Sequence, residues 1–454
     1  MKEAIMKKKV FGILAAGLLA AVPAMAEEVP QATAPAYNCD FQPSCEVAPG
    51  LYGKISQPVT SKFKLSIGGF VKLDYAYNSV DFGNSGALIP GSGAVPKSTS
   101  VAGKSDQSIF TARQSRFWLK VAGPDFVGAK TSSLIEVDFY GDPSAANESP
   151  QVRMRQAWGS IDWANTGIMF GQAYDIFGPM IASTVDFRSG AAFGNPNNPR
   201  IPQLRLTQKV TLSDANSLKL VVGLQDPNQN GNNNQLSDSN FGAAVNVAAQ
   251  AMFISKALGV SPGYWGLSMN SLTAGMFGLV GSEKVALDTG NKSVDSWGYG
   301  FYTFVPVLKS KDGKSRAMTM SLEGQAYMAA NMAFNTATAG TTVGPTDDPR
   351  AAKGYGFSAQ TIFYPTQDLG ITAGYGRRNA YNYADYRNVE NFQKSSSNLY
   401  FNVAYDLNAA IRVAAEYQNV NTQYGNSTNG AGGLAGTSGT GTANIGRFSV
   451  LYFF

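Results

Sequence analysis

The segment KFKLSIGGFVKLDYAYN, residues 62 to 78, alternates apolar and polar side chains along most of its length. Successive side chains of a β-strand point to opposite faces, so this alternation predicts a strand with one apolar face. The other face carries Lys64, Lys72 and Asp74. The apolar face consists of the odd positions Phe63, Leu65, Ile67, Gly69, Val71, Leu73, Tyr75 and Tyr77.

The same alternation recurs along the rest of the chain. It is clear in four further segments, at 217–225, 317–327, 398–406 and 410–418. Weaker segments begin near residues 109, 131, 151, 166, 201, 243, 267, 295, 354 and 369, and a final one begins near Ala443. Together these make sixteen candidate strands, and an even number is typical of bacterial outer-membrane barrels.

The connections between the candidate strands alternate in length, as in outer-membrane barrels, where periplasmic turns are short and external loops are long. Short connections fall at 123–129, 162–166, 211–216, 308–316, 364–368 and 406–409. Long ones fall near 79–107, 175–200, 226–240, 281–294, 329–352, 379–396 and 419–442. Two connections depart from the alternation, because 141–150 is short for an external loop and the turn near 256–265 is long.

No segment after the N-terminus offers 18 or more continuous apolar residues, so the sequence predicts no later membrane-spanning helix. A closed β-barrel is the other structure that pairs every backbone polar group within lipid. We therefore predict an all-β fold, a transmembrane antiparallel β-barrel of sixteen strands. A soluble β-sandwich would explain the alternation, but it would not also explain the number of segments and the alternating connections.

The N-terminus has the features of a secretory signal peptide. Three lysines at 7–9 precede an apolar run, and Pro-Ala-Met-Ala at 23–26 is a small-x-small cleavage site. We predict that residues 1–26 are removed, that 27–61 form a periplasmic N-terminal segment and that 62–454 form the barrel.

The two cysteines of the chain, Cys39 and Cys45, lie close together in the N-terminal segment. Because an exported protein meets an oxidising periplasm, we predict that they form a local disulfide. A metal or redox role is the alternative.

The last residues, RFSVLYFF, place Phe448, Val450, Tyr452 and Phe454 at alternating positions. This ending resembles the C-terminal signal of Gram-negative outer-membrane barrels. It therefore supports the outer membrane as the predicted location.

Five sequence blocks resemble the DcaP-like porins in their order. They are SIGGFVKLDYAY at 66–77, RQSRFWLKVAGP at 113–124, LIEVDFYG at 134–141, VRMRQAWGSIDW at 152–163 and MFGQAYDIFGP at 169–179. In that family these blocks form the first five strands. The resemblance implies a homotrimer of water-filled barrels that pass small solutes, with the loop after strand five folded inward. The chain departs from the family's type member, which has a periplasmic coiled coil, because 27–61 shows no heptads.

The loop after strand five is therefore the predicted constriction, as the third external loop of the barrel. It carries Asp175, Asp186, Arg188 and Arg200, with enough Gly and Asn for a tight path inside the barrel. Charges of both signs on an inward loop would create a field across the lumen. The alternative is a surface loop with solvated charges.

The face opposite the apolar one would line the lumen and set its selectivity. The predicted pore-lining residues are Arg116, Lys120, Glu136, Asp138, Arg153, Arg155, Arg205, Lys219, Glu323, Arg378, Arg412 and Glu416. Cations outnumber acids in this set, which favours anions, and planar Arg suits carboxylates, so small carboxylates are the expected solutes. The alternative is an ion-paired wall with little preference for either sign of ion. Glu136 and Asp138 permit such pairing, because they lie on the third candidate strand, between the strand of Arg116 and the strand of Arg153 and Arg155.

The composition excludes several other functions. The chain has no His, so it has no Ser-His-Asp triad and no His-ligated zinc, and we expect no enzymatic activity, cofactor or metal. The formal charge of +5 falls to +2 without residues 1–26, which gives no support for nucleic-acid binding. Expected partners are outer-membrane lipid, lipopolysaccharide, small hydrophilic solutes and two further copies of the chain. A barrel that acts as a structural or scaffold protein is the alternative function.

Overall fold

The computed structural model describes residues 63–83, 94–141, 149–187, 194–196, 200–226, 245–287, 290–332, 342–343, 348–381, 392–425 and 439–454. These residues belong to one compact unit, Lys62–Phe454. Within them, no helix is long and apolar enough to cross a membrane. The predicted signal peptide, the N-terminal segment 27–61 and both cysteines lie outside the described residues.

Almost all of the regular structure in the described residues is β-strand. The strands are β1 (Lys64–Asn78), β2 (Gln107–Thr111), β3 (Arg116–Ala122), β4 (Lys130–Asp138), β5 (Arg153–Asp162), β6 (Thr166–Tyr174), β7 (Arg200–Thr211), β8 (Asn216–Gln225), β9 (Asn246–Pro262), β10 (Met269–Leu287), β11 (Gly290–Leu308), β12 (Thr319–Ala330), β13 (Thr342–Val343), β14 (Arg350–Ala351), β15 (Lys353–Tyr364), β16 (Leu369–Ala380), β17 (Phe392–Asp406), β18 (Ile411–Gly425) and β19 (Thr440–Phe453).

The strands form one closed antiparallel sheet. Neighbours in the chain pair with each other around the wall, and β1 pairs with β19 from Phe70↔Phe453 to Asn78↔Ile445. The seam continues one residue further, because Gly69 and Phe454 exchange both backbone hydrogen bonds, at 3.0 and 3.2 Å. Closure leaves no sheet edge whose backbone groups would face lipid unpaired.

The barrel has sixteen strands in the described part of the chain. Both β2 and β3 pair with β1, so they are the two halves of one strand that is interrupted at 112–115. The short β13 and β14 pair only with each other, outside the barrel sheet. The predicted fold class and strand number are confirmed.

The two faces of the wall differ in polarity, as the alternation predicts. On β18, Arg412, Glu416 and Gln418 point inward and are buried, whereas Tyr417 points outward and is exposed. Large apolar side chains are exposed on the outer face of many strands. In water such a surface would be unfavourable, but it matches the hydrocarbon of a bilayer.

Connections at one end, the short-turn end, are brief: 123–129, 163–165, 212–215, 263–268, 309–318, 365–368 and 407–410. The prediction of a long turn near 256–265 is wrong, because β9 continues to Pro262 and accommodates its extra residues in a bulge opposite Ser271/Leu272.

The prediction of a long loop at 281–294 is also wrong. Strands β10 and β11 remain paired as far as Leu287↔Gly290, so the described residues of this stretch form a hairpin. A hairpin beyond the lipid has water on both faces and needs no apolar face. The period-2 signal therefore fades there although the backbone stays extended.

The outward position of Phe401, in the middle of the apolar run of β17, leads to a test. We expect Phe401→Arg to lower the free energy of unfolding by about 2–4 kcal/mol, because the charge would lie in the hydrocarbon. The control is Leu407→Arg, since Leu407 is similarly exposed but lies in a turn. Urea unfolding from lipid vesicles measures both, and equal effects would contradict the assignment of the outer face to lipid.

Candidate functional site

The connection after β6 enters the barrel. Residues 175–187, which we call the inward loop, are mostly buried. The carboxylate of Asp175 stabilises the inward bend, because its Oδ1 accepts hydrogen bonds from the N–H of Phe177 at 3.0 Å and from Gln225 Nε2 at 2.9 Å. The predicted inward fold of the third external loop is confirmed.

Phe177 anchors the first half of the inward loop. Its ring packs edge-on against Phe277 of β10 and Tyr327 of β12, with centroid distances of 4.9 and 6.0 Å. The wall accommodates this ring at Gly298 of β11, where a Cβ atom would lie 2.6 Å from Phe177 Cζ. A larger residue at position 298 would displace the ring, so this glycine is part of the anchor.

Side chains of the wall pair with the backbone of the second half of the inward loop. Gln325 Oε1 accepts a hydrogen bond from the N–H of Met180 at 3.2 Å, and Gln360 Oε1 accepts one from Ser183 at 2.8 Å. Asn402 Nδ2 donates to the Ser183 carbonyl at 2.7 Å. Because a buried backbone group without a partner is costly, these amides determine the path of the loop along β12, β15 and β17.

A buried charged cluster holds the end of the inward loop. Glu416 Oε2 accepts a hydrogen bond from the Val185 N–H, and Lys72 Nζ donates to the Val185 carbonyl, both at 2.7 Å. Arg447 Nη1 lies 2.7 Å from Asp186 Oδ2 and 3.3 Å from Glu416 Oε1. The loop is thereby tied to strands β18, β19 and β1.

The inward loop covers only part of the inner wall. Its contacts run mainly along β9–β12, β15, β17–β19 and β1, where the inward polar side chains are buried, and they reach the other side only at the two ends of the loop, at Gln225 of β8 and Arg116 of β3. On the other side, Arg116 is 18% exposed, Arg153 is 37% exposed and Lys120 is exposed. We call strands β3–β8, which include these residues, the open arc.

The open arc is strongly basic. Its strands carry nine cationic residues, Arg116, Lys120, Lys130, Arg153, Arg155, Arg200, Arg205, Lys209 and Lys219. They carry three acidic ones, Glu136, Asp138 and Asp162. Most of this charge therefore has no neutralising carboxylate on the same strands.

Three arginines share two carboxylates in the middle of the open arc. Arg153 Nη2 lies 2.6 Å from Asp138 Oδ2, and Arg155 bridges Asp138 at 2.7 Å and Glu136 at 3.1 Å. Arg116 Nη1 lies 3.5 Å from Glu136 Oε1. The cluster keeps an excess of positive charge, and its cross-strand pairs hold the guanidinium groups in place.

Tyr174, the last residue of β6, joins this cluster to two further arginines. Its hydroxyl accepts a hydrogen bond from Arg155 Nη2 at 2.8 Å, and its carbonyl accepts one from Arg205 Nη2 at 2.5 Å. The guanidinium of Arg200 lies 5.8 Å from the centre of its ring. Guanidinium groups from β5 and β7 therefore converge at the point where the inward loop leaves the wall.

The other predicted site residues have different surroundings. Arg205 and Lys219 lie on the open arc. Four lie buried elsewhere on the inner wall, namely Glu323, Arg378, Arg412 and Glu416. Arg412, for example, pairs with Asp406 at 2.5 Å.

Among the residues predicted for the constriction, Asp175 and Asp186 lie at the two ends of the inward loop. Arg200 is instead the first residue of β7, because its backbone pairs with Tyr174 and so belongs to the wall. Arg188 lies outside the described residues. Of the predicted C-terminal signal, Val450, Tyr452 and Phe454 are exposed, and Phe448 is half-buried.

Three buried cations, Lys72, Arg113 and Arg447, are absent from the predicted set. The alternation of the last strand could have predicted Arg447, because this residue is next to the outward Phe448 and must therefore point inward. The same holds for Lys72 in β1. Arg113 lies in the break between β2 and β3, where alternation carries no information, and its Nε donates to the Phe139 carbonyl at 3.2 Å.

Comparison with known proteins gives similarity at the level of structure only. No protein-family model matches the sequence, and no curated protein matches it. The outer membrane channel DcaP of Acinetobacter baumannii has a similar structure, with a TM-score of 0.62 at 18% identity, and the match covers 86% of this chain and 97% of DcaP.

Two further solved structures are similar, each with a TM-score of 0.50. An anion-selective porin from Comamonas acidovorans is 11% identical, with 86% of this chain and 100% of the porin covered. OmpT of Vibrio cholerae in its trimer form is 12% identical, with coverages of 87% and 100%. The chain therefore has the fold of sixteen-stranded outer-membrane porins.

The shared carboxylates predict that the arginine cluster contributes to stability. We expect Arg155→Leu to lower the free energy of unfolding by about 3–5 kcal/mol, because it leaves buried carboxylates short of a partner. Denaturant unfolding measures the change. The matched control is Lys120→Leu, which removes a charge from the same arc at an exposed position and should change stability little. A loss of stability in Arg155→Leu no larger than that in Lys120→Leu would contradict the stabilising role of the arginine cluster.

Proposed function

We propose that this chain forms a water-filled channel in the outer membrane of a Gram-negative bacterium. Small hydrophilic solutes pass by passive diffusion, with a preference for anions such as small carboxylates. The observation that carries this proposal is the open arc, the part of the inner wall that the inward loop leaves uncovered and on which cations outnumber acids three to one. The proposal includes no enzymatic step, cofactor or metal.

The preference for anions follows from the distribution of charge. Lys120, Lys209 and Lys219 have no ion-pair partner within the described part of the chain. The inward loop contributes two acids, Asp175, whose carboxylate is hydrogen-bonded to Phe177 and Gln225, and Asp186, which pairs with Arg447. Rows of like charge along a pore select the sign of the permeant ion, so the net field favours anions.

The arginines suggest the class of anion. A guanidinium group is planar and always charged, and it binds a carboxylate through two parallel hydrogen bonds. Arg153 makes such a pair with Asp138, through Nε at 2.9 Å and Nη2 at 2.6 Å, and still keeps 37% of its side chain exposed to the lumen. Small mono- or dicarboxylates could exchange along this arc from one guanidinium group to the next.

The location and assembly belong to the same proposal. After removal of residues 1–26, the short-turn end faces the periplasm, the outer wall contacts lipid and lipopolysaccharide, and three copies form a homotrimer. The exposed apolar outer face supports the membrane location. The trimer form of the structurally similar Vibrio protein supports the assembly.

A charge-reversal experiment tests the selectivity. We expect the wild-type protein in a planar bilayer under a salt gradient to show a reversal potential of the anion-selective sign. Lys120→Glu with Lys219→Glu should shift it toward the cation-selective sign, because both positions lie on the open arc. Lys311→Glu, at an exposed turn position, makes the same kind of charge change outside the arc and should leave the reversal potential unchanged.

Succinate added to one side should interrupt the wild-type current, because the dicarboxylate would reside on the arginine cluster. Conductance without ion preference would leave a general diffusion pore and refute the anion preference. A folded protein without conductance would refute the channel and favour the alternative, a structural or scaffold barrel.

A further inference from the structure

The turn between β9 and β10 folds into the barrel. Residues 263–268, which we call the inward turn, lie at the short-turn end, and Trp265 at their centre is only 5% exposed. The inward loop enters from the opposite end of the barrel, after β6. Two segments from opposite ends therefore enter the same lumen.

The inward turn reaches far across the barrel. The carbonyl of Trp265 accepts a hydrogen bond from Arg412 Nη1 at 2.8 Å and one from Tyr364 Oη at 3.2 Å. Arg412 is the second residue of β18, which lies six strands around the wall from β10, whereas the opposite side of a sixteen-stranded barrel is eight strands away. The turn thus bridges the lumen instead of lying along its rim.

The backbone of the inward turn is shaped for this position. Gly263 N–H donates to the Ser268 carbonyl at 2.8 Å and closes the turn. Trp265 has φ 54°, an uncommon conformation for a bulky residue, which persists where the surroundings hold it and often marks a functional site. At Gly266, a Cβ atom would lie 2.0 Å from Tyr364 Oη, so only glycine fits against that hydroxyl.

Trp265 also holds the end of the inward loop. Its indole Nε1–H donates to the Thr184 carbonyl at 2.9 Å, and its ring lies 4.9 Å from the ring of Phe187. Phe187 in turn lies under the guanidinium of Arg116, 5.4 Å from the centre of its ring, and under Lys72 Nζ, at 4.7 Å. Through Phe187, the contact between the inward turn and the inward loop therefore extends to Lys72 of β1 and Arg116 of β3.

The neighbouring Tyr264 lies beside the open arc. Burial raises the pKa of its hydroxyl, and the nearby charge of Arg116 acts in the opposite direction. Tyr264 also faces Phe187, with ring centroids 6.5 Å apart. Tyr264, Trp265 and Phe187 thus form a group of aromatic side chains next to Arg116, at one edge of the open arc.

We propose that the inward turn is a second constriction of the lumen, in which Trp265 positions the end of the inward loop and thereby sets the size limit of the pore. This inference rests on the proposed channel function. The second constriction selects solutes by width, because its side chains are aromatic, whereas the open arc selects them by charge.

Truncation of Trp265 tests the proposal. We expect Trp265→Ala to raise single-channel conductance to about twice the wild-type value, because it removes the indole that holds Thr184 and Phe187 and so lets the end of the inward loop move away from the aqueous path. The largest poly(ethylene glycol) that enters the pore should become larger, and the reversal potential should stay unchanged. Trp265→Phe keeps a ring against Phe187 and should restore the wild-type size limit in large part.

The matched control is Trp163→Ala. Trp163 lies in another connection at the short-turn end, and its indole also donates to a backbone carbonyl, that of Val127 at 3.0 Å. That carbonyl belongs to a neighbouring turn and not to the inward loop. This variant should therefore keep the wild-type conductance, and an equal rise in both variants would overturn the proposal.

A wild-type measurement keeps the proposal testable if Trp265→Ala fails to fold. If the narrow point lies close to the short-turn end, poly(ethylene glycol) of intermediate size should lower the wild-type conductance less when it is added on the short-turn side than when it is added on the opposite side. Equal effects from the two sides would overturn the proposal.

Hydrogen exchange of residues 175–187 separates this inference from the channel function. Faster exchange of these residues in Trp265→Ala than in Trp163→Ala would support the positioning role even in a protein that does not conduct, in which case the channel proposal fails alone. Unchanged exchange would overturn the positioning role, and faster exchange in a conducting pore with an unchanged size limit would overturn the second constriction.

Discussion

The structure depends on one constraint, the need of every backbone N–H and C=O group in a bilayer for a hydrogen-bond partner within the protein. The chain meets it by pairing β1 with β19 and extending the seam to Gly69 and Phe454. Closure has two consequences. The outer face can be apolar because it meets lipid, and the inner face can carry charge because it encloses a lumen. Selectivity is therefore determined on the inner face.

The same constraint acts again inside the lumen. The inward loop buries its backbone against the wall, and Gln325, Gln360, Asn402 and Glu416 supply its partners. These side chains lie on one side of the barrel, so the loop follows that side and leaves most of the open arc uncovered. The basic character of the channel thus follows from where the loop finds its hydrogen bonds as much as from the number of cations. The inward turn adds a width limit close to the end of the loop.

Period-2 alternation predicted the strands well, because lipid on one face and a lumen on the other impose opposite polarities on neighbouring residues. It located Arg153 and Arg155 on the inner face, and it could have located Arg447 in the same way. It failed in the hairpin that joins β10 and β11, where both faces meet water. It also could not show the bulge in β9, since a bulge changes the register between strands without a consistent change in composition.

The sequence by itself determined the number of strands, the direction of most wall side chains and the apolar belt, because these follow from local periodicity and the polarity of the two solvents. Only the tertiary structure decided which charges meet. Asp186 and Arg447 are distant along the chain, and Arg412 meets Trp265 across the lumen. Such contacts depend on barrel closure and on the path of the inward loop and the inward turn, and local alternation contains no information about either path.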